Sequence, residues 1–213
     1  DPISRQPRQP AMNRCYIPFT GGFLLHTGWP NPGISRAIQQ NKRAWAQADL
    51  PVIVHLLAEA PEWIAEMVRK LEGLENILAV ELGLSPECNA TALRDYMDAA
   101  MGELPVLVHL GPWQMPELLE ILTTRQPATV HLGPQRGSLP DAEGQFVSGR
   151  LYGPAFLPLS LSATRAAVEA GLPIIAGCGV FHQKQAQALL DIGAFAVNVN
   201  AALWGINSSG LFY

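Results

Sequence analysis

The sequence predicts an α/β protein with the architecture of a TIM-type (β/α) barrel, on three observations. Short apolar, β-branched runs alternate with amphipathic helical segments along the chain, the pattern of parallel strands joined by helical crossovers. Three of the runs spell nearly the same thing: Pro51-Val52-Ile53-Val54-His55-Leu56, Pro105-Val106-Leu107-Val108-His109-Leu110-Gly111-Pro112 and Ala128-Thr129-Val130-His131-Leu132-Gly133-Pro134. Each closes on a histidine and then breaks, as a buried strand does when it delivers one polar side chain at its C-terminal end, where α/β folds hold their chemistry. The strands also follow one another at barrel-like spacing, which favours a barrel over a doubly wound sheet.

Taken in order, Asp1 to Pro10 is rich in Pro, Gln and Arg and reads as extended. Cys15 to Trp29 reads as a hairpin turning at Thr20-Gly21-Gly22. Residues 1–30 are therefore expected to form an extended and hairpin segment of a single domain over 1–213. Asn31-Pro32-Gly33 opens a helix over Ile34 to Trp45, with Ile34, Ala37, Ile38 and Trp45 near one face. After the strand at 52–56, Pro61 stands where an N1 proline belongs, and Ile64, Met67, Val68 and Leu71 keep the i, i+3, i+4, i+7 period. A strand from Leu78 to Leu84 and a helix carrying Leu93, Tyr96, Met97 and Ala100 lead to the strand at 106–110. Pro116 starts the next helix, with Leu118, Leu119 and Leu122, ahead of the strand at 128–132. Gly133 to Pro158 is dense in Gly and Pro without a helical period and reads as a long functional loop. A helix from Ser160 to Ala170, a strand from Pro173 to Gly177, a helix from His182 to Ile192 and a strand from Ala194 to Asn200 complete six β/α pairs.

Composition narrows the partners. The formal net charge is −4 and no Lys/Arg cluster marks a nucleic-acid footprint. Charged residues make up 15% of the chain against 48% hydrophobic, below the usual share of about a quarter charged, so part of the surface is expected to lie against another chain. Cys15, Cys88 and Cys178 have no metal-type pair spacing and cannot all pair with one another, which suits a reduced, cytoplasmic compartment. No apolar run reaches membrane-spanning length.

The three strand-end histidines admit three readings: a metal set with Glu81 as carboxylate neighbour, polar remnants of a ligand site, or hydrogen-bonded core groups. Their spacing is not a local metal motif, and no metal ligands are assigned. His26 and His182 read as structural or surface groups. Trp113 and Trp204 are candidates to line the mouth of the barrel, while Trp29, Trp45 and Trp63 read as packing anchors.

Several segments together resemble the dihydroorotate dehydrogenase family. They are Gly149-Arg150-Leu151-Tyr152-Gly153-Pro154-Ala155, Pro158-Leu159-Ser160-Leu161, Leu172-Pro173-Ile174-Ile175-Ala176-Gly177-Cys178-Gly179-Val180 and Gly193-Ala194-Phe195-Ala196-Val197-Asn198-Val199. Upstream, Gly28-Trp29-Pro30-Asn31-Pro32-Gly33-Ile34, Leu50 to Val54, Ala79 to Ser85 and Leu104 to Val108 follow in the same order. The resemblance implies an FMN-bearing barrel that oxidises dihydroorotate to orotate. Flavin would sit at the C-terminal mouth, with its phosphate on backbone amides of the loops at Gly177-Cys178-Gly179 and Asn200-Ala201, and with Gly153 and His131 beside it.

The resemblance also exposes departures. His109 stands where the family carries a lysine that stabilises reduced flavin, and neutral imidazole is not a fixed cation. Gly83 replaces an asparagine of the family signature, and His131 corresponds roughly to another. The family's proton-abstracting base comes from the loop holding Ser85 and Cys88, so Ser85, Cys88 and His109 are the catalytic candidates. Asn200 and Cys178 put side chains where the family favours glycine, which crowds a phosphate. The family has two further strands ahead of the region matched here, and the last helix is expected to be shortened, the chain ending at Phe212-Tyr213; an incomplete barrel of about six strands would present two open edges. The expectation is a divergent relative in which FMN is lost, serving as a structural or regulatory subunit within a homo-oligomer or hetero-complex. The alternative is an active FMN-dependent oxidoreductase.

Overall fold

Alternating apolar side chains in the six expected barrel strands build one all-parallel sheet. The computed structural model describes residues 2–204. In chain order the strands are β1 (Cys15–Phe19), β2 (Gly22–His26), β3 (Val52–Leu57), β4 (Ile77–Gly83), β5 (Val106–Leu110), β6 (Thr129–Leu132), β7 (Gln135–Pro140), β8 (Phe146–Tyr152), β9 (Ile174–Ala176) and β10 (Ala196–Val197). The helices are α1 (Ile34–Ala46), α2 (Pro61–Leu71), α3 (Ala90–Ala99), α4 (Met115–Arg125), α5 (Leu157–Glu169) and α6 (Gln183–Asp191). The parallel sheet runs β10-β9-β6-β5-β4-β3, so strands neighbouring in space follow one another in the chain, as they do around a TIM-type barrel. Among the described residues no ladder joins β3 to β10.

One face of this sheet is the hydrophobic core. Val54, Leu56, Val80, Leu82, Val108, Leu110, Val130, Leu132, Ile174 and Ala176 form one cluster with helix residues such as Ile64, Met67, Leu93, Leu118, Leu122, Ala167 and Leu189. Burying each large aliphatic side chain stabilises the fold by about 1.5–3 kcal/mol. The helices start where local chemistry permits. Pro61 is at the first turn of α2, where its missing N–H costs nothing. The Asn89 side chain accepts the Ala92 N–H at 2.9 Å ahead of α3. His182, read from sequence as structural or surface, caps α6 by accepting the Lys184 N–H on Nδ1 at 3.2 Å.

The N-terminal hairpin forms as expected, β1 against β2, but it extends into a second, antiparallel sheet ordered β1-β2-β8-β7. This corrects the reading of Gly133 to Pro158 as a long loop: most of it is the β7–β8 hairpin, in register from Gln135–Leu151 to Pro140–Phe146. Its turn is held by Asp141, whose carboxylate accepts the Glu143 and Gln145 N–H groups at 3.0 and 2.8 Å. Glycine inside β8 has a packing reason, because a Cβ on Gly149 would stand 2.7 Å from the Leu25 carbonyl oxygen of β2.

The outer edge of β3, expected to be bare, is covered near its C-terminal end. The Ile3 N–H donates to the His55 carbonyl at 2.8 Å, and the Leu57 N–H donates to the Ile3 carbonyl at 2.9 Å, a parallel bridge that extends the sheet by one residue. The Pro/Arg-rich start is tied down further by Asn31, whose Oδ1 accepts from the Ser4 N–H, the Ser4 hydroxyl and the Gly33 N–H.

Candidate functional site

The face of the parallel sheet opposite the core carries the polar strand-end residues. Register sets them side by side: His55 is paired with Glu81, Gly83 with His109, and His109 with His131. Alternation along each strand sends these side chains away from Val54, Leu56, Val80, Leu82, Val108 and Val130 and into the mouth.

Glu81 is the centre of the cluster and is buried. His131 Nδ1 lies 2.5 Å from Glu81 Oε1, and His55 Nδ1 lies 3.2 Å from Oε2. Asn198, from the loop after β10, places its Nδ2 2.8 Å from His131 Nε2. If the amide donates, Nε2 accepts and the proton of His131 sits on Nδ1, directed at the carboxylate. His109 packs between its neighbours, with ring centroids 4.7 Å from His55 and 4.9 Å from His131.

Glycines make this packing possible. A Cβ on Gly83 would stand 2.2 Å from His55 Nε2, and a Cβ on Gly133 would stand 2.2 Å from His109 Cε1 and Nε2. Gly111 likewise accommodates the folded-back ring of Trp113. Among the described residues, His55 Nε2 is buried without a hydrogen-bond partner.

The electrostatics follow from burial. Burial pushes His55 down to about 3, with nearby His131 and Arg150 adding to the effect. His109 falls well below the ordinary histidine value, again chiefly by burial, with His55 and His131 contributing and Glu81 opposing. For Glu81 burial works upward, but the His131 hydrogen bond and the fields of His109 and His131 outweigh it and leave the carboxyl below its usual range. The cluster is therefore a carboxylate among imidazoles, two of which are held neutral.

The cluster opens into a cavity of about 240 Å³ whose walls include Trp29, Trp113, Arg136, Arg150, Tyr152, Asn198 and Asn200. The arginines and Tyr152 come from the β7–β8 hairpin, which the sequence reading took for a loop. No period-two apolar alternation marks Gln135–Pro140, so the sequence held no strand signal that would have found Arg136. Trp113 lines this cavity, as anticipated; the side chain of Trp204 lies outside those described. Gly153, Gly177, Cys178, Gly179, Asn200 and Ala201 come together around an adjoining cleft of about 20 Å³.

Ser85 and Cys88 do not join His109 in the cavity wall. The Ser85 carbonyl accepts from Gln114 Nε2 at 2.8 Å, while Gln114 Oε1 accepts the Gly111 N–H at 3.0 Å, so the loops after β4 and β5 are clamped together. Cys88 is buried, and burial, with Glu117 adding, pushes its thiol up to about 11. Cys178 is also buried and raised to about 11, despite a backbone hydrogen bond from Gln135 that works the other way. All three cysteines are free. Among the described residues no group of three or more His, Cys, Asp or Glu side chains has an arrangement that could hold a metal ion; the two Nδ1 atoms of His55 and His131 both face Glu81. No helix among the described residues is long and apolar enough to cross a membrane.

No family model matches the chain. Three curated relatives are named dihydroorotate dehydrogenase B (NAD(+)), catalytic subunit. The protein from Desulforudis audaxviator is 25% identical over 85% of this chain and 66% of its own length. Those from Citrifermentans bemidjiense and Geobacter sulfurreducens are 25% and 24% identical, each over 94% of this chain and 72% of their own length. The chain thus spans about two thirds of the length of these relatives. Among solved structures, the FabK (M276A) mutant from Thermotoga maritima superposes with a TM-score of 0.50 at 15% identity, covering 80% of this chain and 50% of that one. This likeness bears on the fold alone and is compatible with a TIM-like arrangement. The chain is a distant relative of the dihydroorotate dehydrogenases.

Proposed function

We propose that this chain is a dihydroorotate dehydrogenase-like β/α scaffold whose mouth has been rebuilt away from flavin redox chemistry, and that it acts as a structural or regulatory member of a larger assembly. The observation that carries this reading is the packing of His55 and His109 over Gly83 and Gly133, with both oxygens of Glu81 facing histidines. The centre of the mouth is filled by the chain's own side chains.

The implied FMN does not fit the residues present. The cleft at Gly153, Gly177 and Gly179 has about 20 Å³, little more than the roughly 10–15 Å³ needed for one water. The adjoining cavity of about 240 Å³ is below the range of about 300–1,000 Å³ of ordinary ligand sites. His109, at the position of the family's lysine, is held neutral by burial, so it offers no cation to a reduced flavin. No redox step is therefore assigned. Membership of an assembly is supported by the low share of charged residues and by the exposed Phe195 beside the terminal strand β10.

The alternative, an FMN-dependent oxidoreductase converting dihydroorotate to orotate, is favoured by one feature: the cofactor-site candidates still surround one cleft beside the mouth. One experiment separates the two. Protein purified without added cofactor is expected to be colourless and to leave FMN fluorescence unquenched at micromolar protein. A yellow preparation that releases FMN on denaturation would overturn the non-flavin reading in favour of the alternative, since retention through purification requires tight binding.

A further inference from the structure

We propose that the mouth is an acid-sensitive latch, in which protonation of the row His55, His109 and His131 releases the antiparallel sheet from the parallel one and opens the cavity between them while both sheets stay folded. The proposal rests on the reading of the mouth as a non-flavin site with a regulatory role, because a flavin bound there would itself hold the sheets apart.

The row runs from β3 over Gly83 of β4 to β5 and β6, with successive ring centroids 4.7 and 4.9 Å apart. Glu81 is the one carboxylate among the residues lining the mouth cavity, and it faces His131 through Oε1 and His55 through Oε2. One negative charge balances one proton. A second proton on the row therefore sets like charges on rings in contact. The antiparallel sheet adds no carboxylate to the cavity wall: it presents Arg136 of β7 and Arg150 and Tyr152 of β8. Both guanidinium carbons lie over the Trp29 ring, 5.6 and 5.9 Å from its centroid, and Arg150 acts through space on His55 and His109. The amino-terminal charge acts on His55 in the same sense. The loops after β5 and β10 contribute the uncharged Trp113, Gln114, Asn198 and Asn200.

The covering sheet is built to part from the core. Among the described residues, none of β1, β2, β7 and β8 joins the parallel sheet by a ladder, and none contributes to the main hydrophobic cluster. The chain enters and leaves the β7–β8 hairpin through Gly133-Pro134 and Gly153-Pro154, where glycine absorbs a hinge rotation at little steric cost. Parting the sheets admits water to rings whose low proton affinity comes chiefly from burial. Each histidine so released takes up a proton near its ordinary value of 6.5. The open state then binds more protons than the closed one, so acid favours it, by up to about tenfold per pH unit for each histidine.

Cys178 and Cys88 supply the test, since both are buried and free but lie in different places. Cys178 lines the cleft beside Leu151 and Tyr152 of β8 and is hydrogen-bonded by the Gln135 backbone, whereas Cys88 belongs to the main cluster. The full chain is labelled with dithiodipyridine from about pH 7 to about pH 5, and each rate is divided by that of the urea-unfolded chain at the same pH. Flavin absorbance is recorded first: a yellow preparation overturns the non-flavin reading and this proposal with it. For colourless protein, the Cys178 ratio should rise by about tenfold or more across this range and exceed the Cys88 ratio by about tenfold or more throughout. Far-UV circular dichroism should stay constant, since both sheets remain folded. H55Q and H109Q should each reduce the rise by about tenfold. Should either variant fail to fold, the unaltered chain decides the matter through its two ratios and its circular dichroism. A Cys178 ratio that is flat with pH, that equals the Cys88 ratio, that rises only as far-UV signal is lost, or that rises as steeply in folded H55Q and H109Q overturns the latch while leaving the non-flavin reading standing.

Discussion

The imidazole of His55 lies over Gly83, its Nε2 2.2 Å from where a Cβ on that glycine would stand. A residue on β3 thus requires a glycine on β4, and the pair explains why a position expected to carry an amide carries no side chain. Gly83→Ala should destabilise the protein by about 1–3 kcal/mol through overpacking. In a His55→Ala background the same change should cost little, giving a coupling of about 1 kcal/mol or more in a urea-unfolding double-mutant cycle. Additive effects would mean that His55 does not occupy this space.

Glu81 ties three strands together through His55 and His131. Glu81→Gln preserves shape but removes the charge that the Nδ1 atoms of His131 and His55 face, with an expected loss of about 1–3 kcal/mol. Equilibrium unfolding in urea measures it, and the His131 ring resonances in NMR should shift in the same variant.

Acid should weaken the fold before ordinary carboxylates titrate. The unfolded chain protonates His55 near the ordinary value of 6.5, whereas the folded chain resists down to about 3. Between those values the unfolded state binds the extra proton, so stability falls as pH falls through this window and this group contributes no slope above it. His109, lowered in the same direction, adds to the slope. The lowered Glu81 carboxyl contributes stability above its ordinary value, lost as pH falls through its folded value. The urea midpoint should therefore decline steadily below about pH 6.5, and His55→Gln should remove about one proton from the slope.

The N-terminal bridge to β3 is a third point of vulnerability. Ile3→Pro removes the N–H that the His55 carbonyl accepts and leaves that group without its partner. An expected loss of about 1–3 kcal/mol by urea unfolding should accompany a larger apparent size on gel filtration, as the uncovered edge recruits other chains. Unchanged stability would show that the bridge contributes nothing.

The sequence by itself determined the order of the β/α units, the parallel sheet and the delivery of three histidines to one end of it. These are local properties: Val54, Leu56, Val108, Leu110 and Val130 alternate with His55, His109 and His131, and Ile64, Met67, Val68 and Leu71 repeat at helical spacing. The hairpin at Cys15–His26 was legible for the same reason, through Thr20-Gly21-Gly22. The β7–β8 hairpin was not, because Gly149 inside β8 answers to β2, more than a hundred residues away in the chain, rather than to a turn. The tertiary structure alone decided that Glu81 bridges His55 and His131, that Asn198 reaches His131, and that Arg136 and Arg150 meet over Trp29. Each of these contacts depends on strand register or on how one sheet sits over the other, and register is a property of paired strands that a single strand's pattern of side chains does not contain.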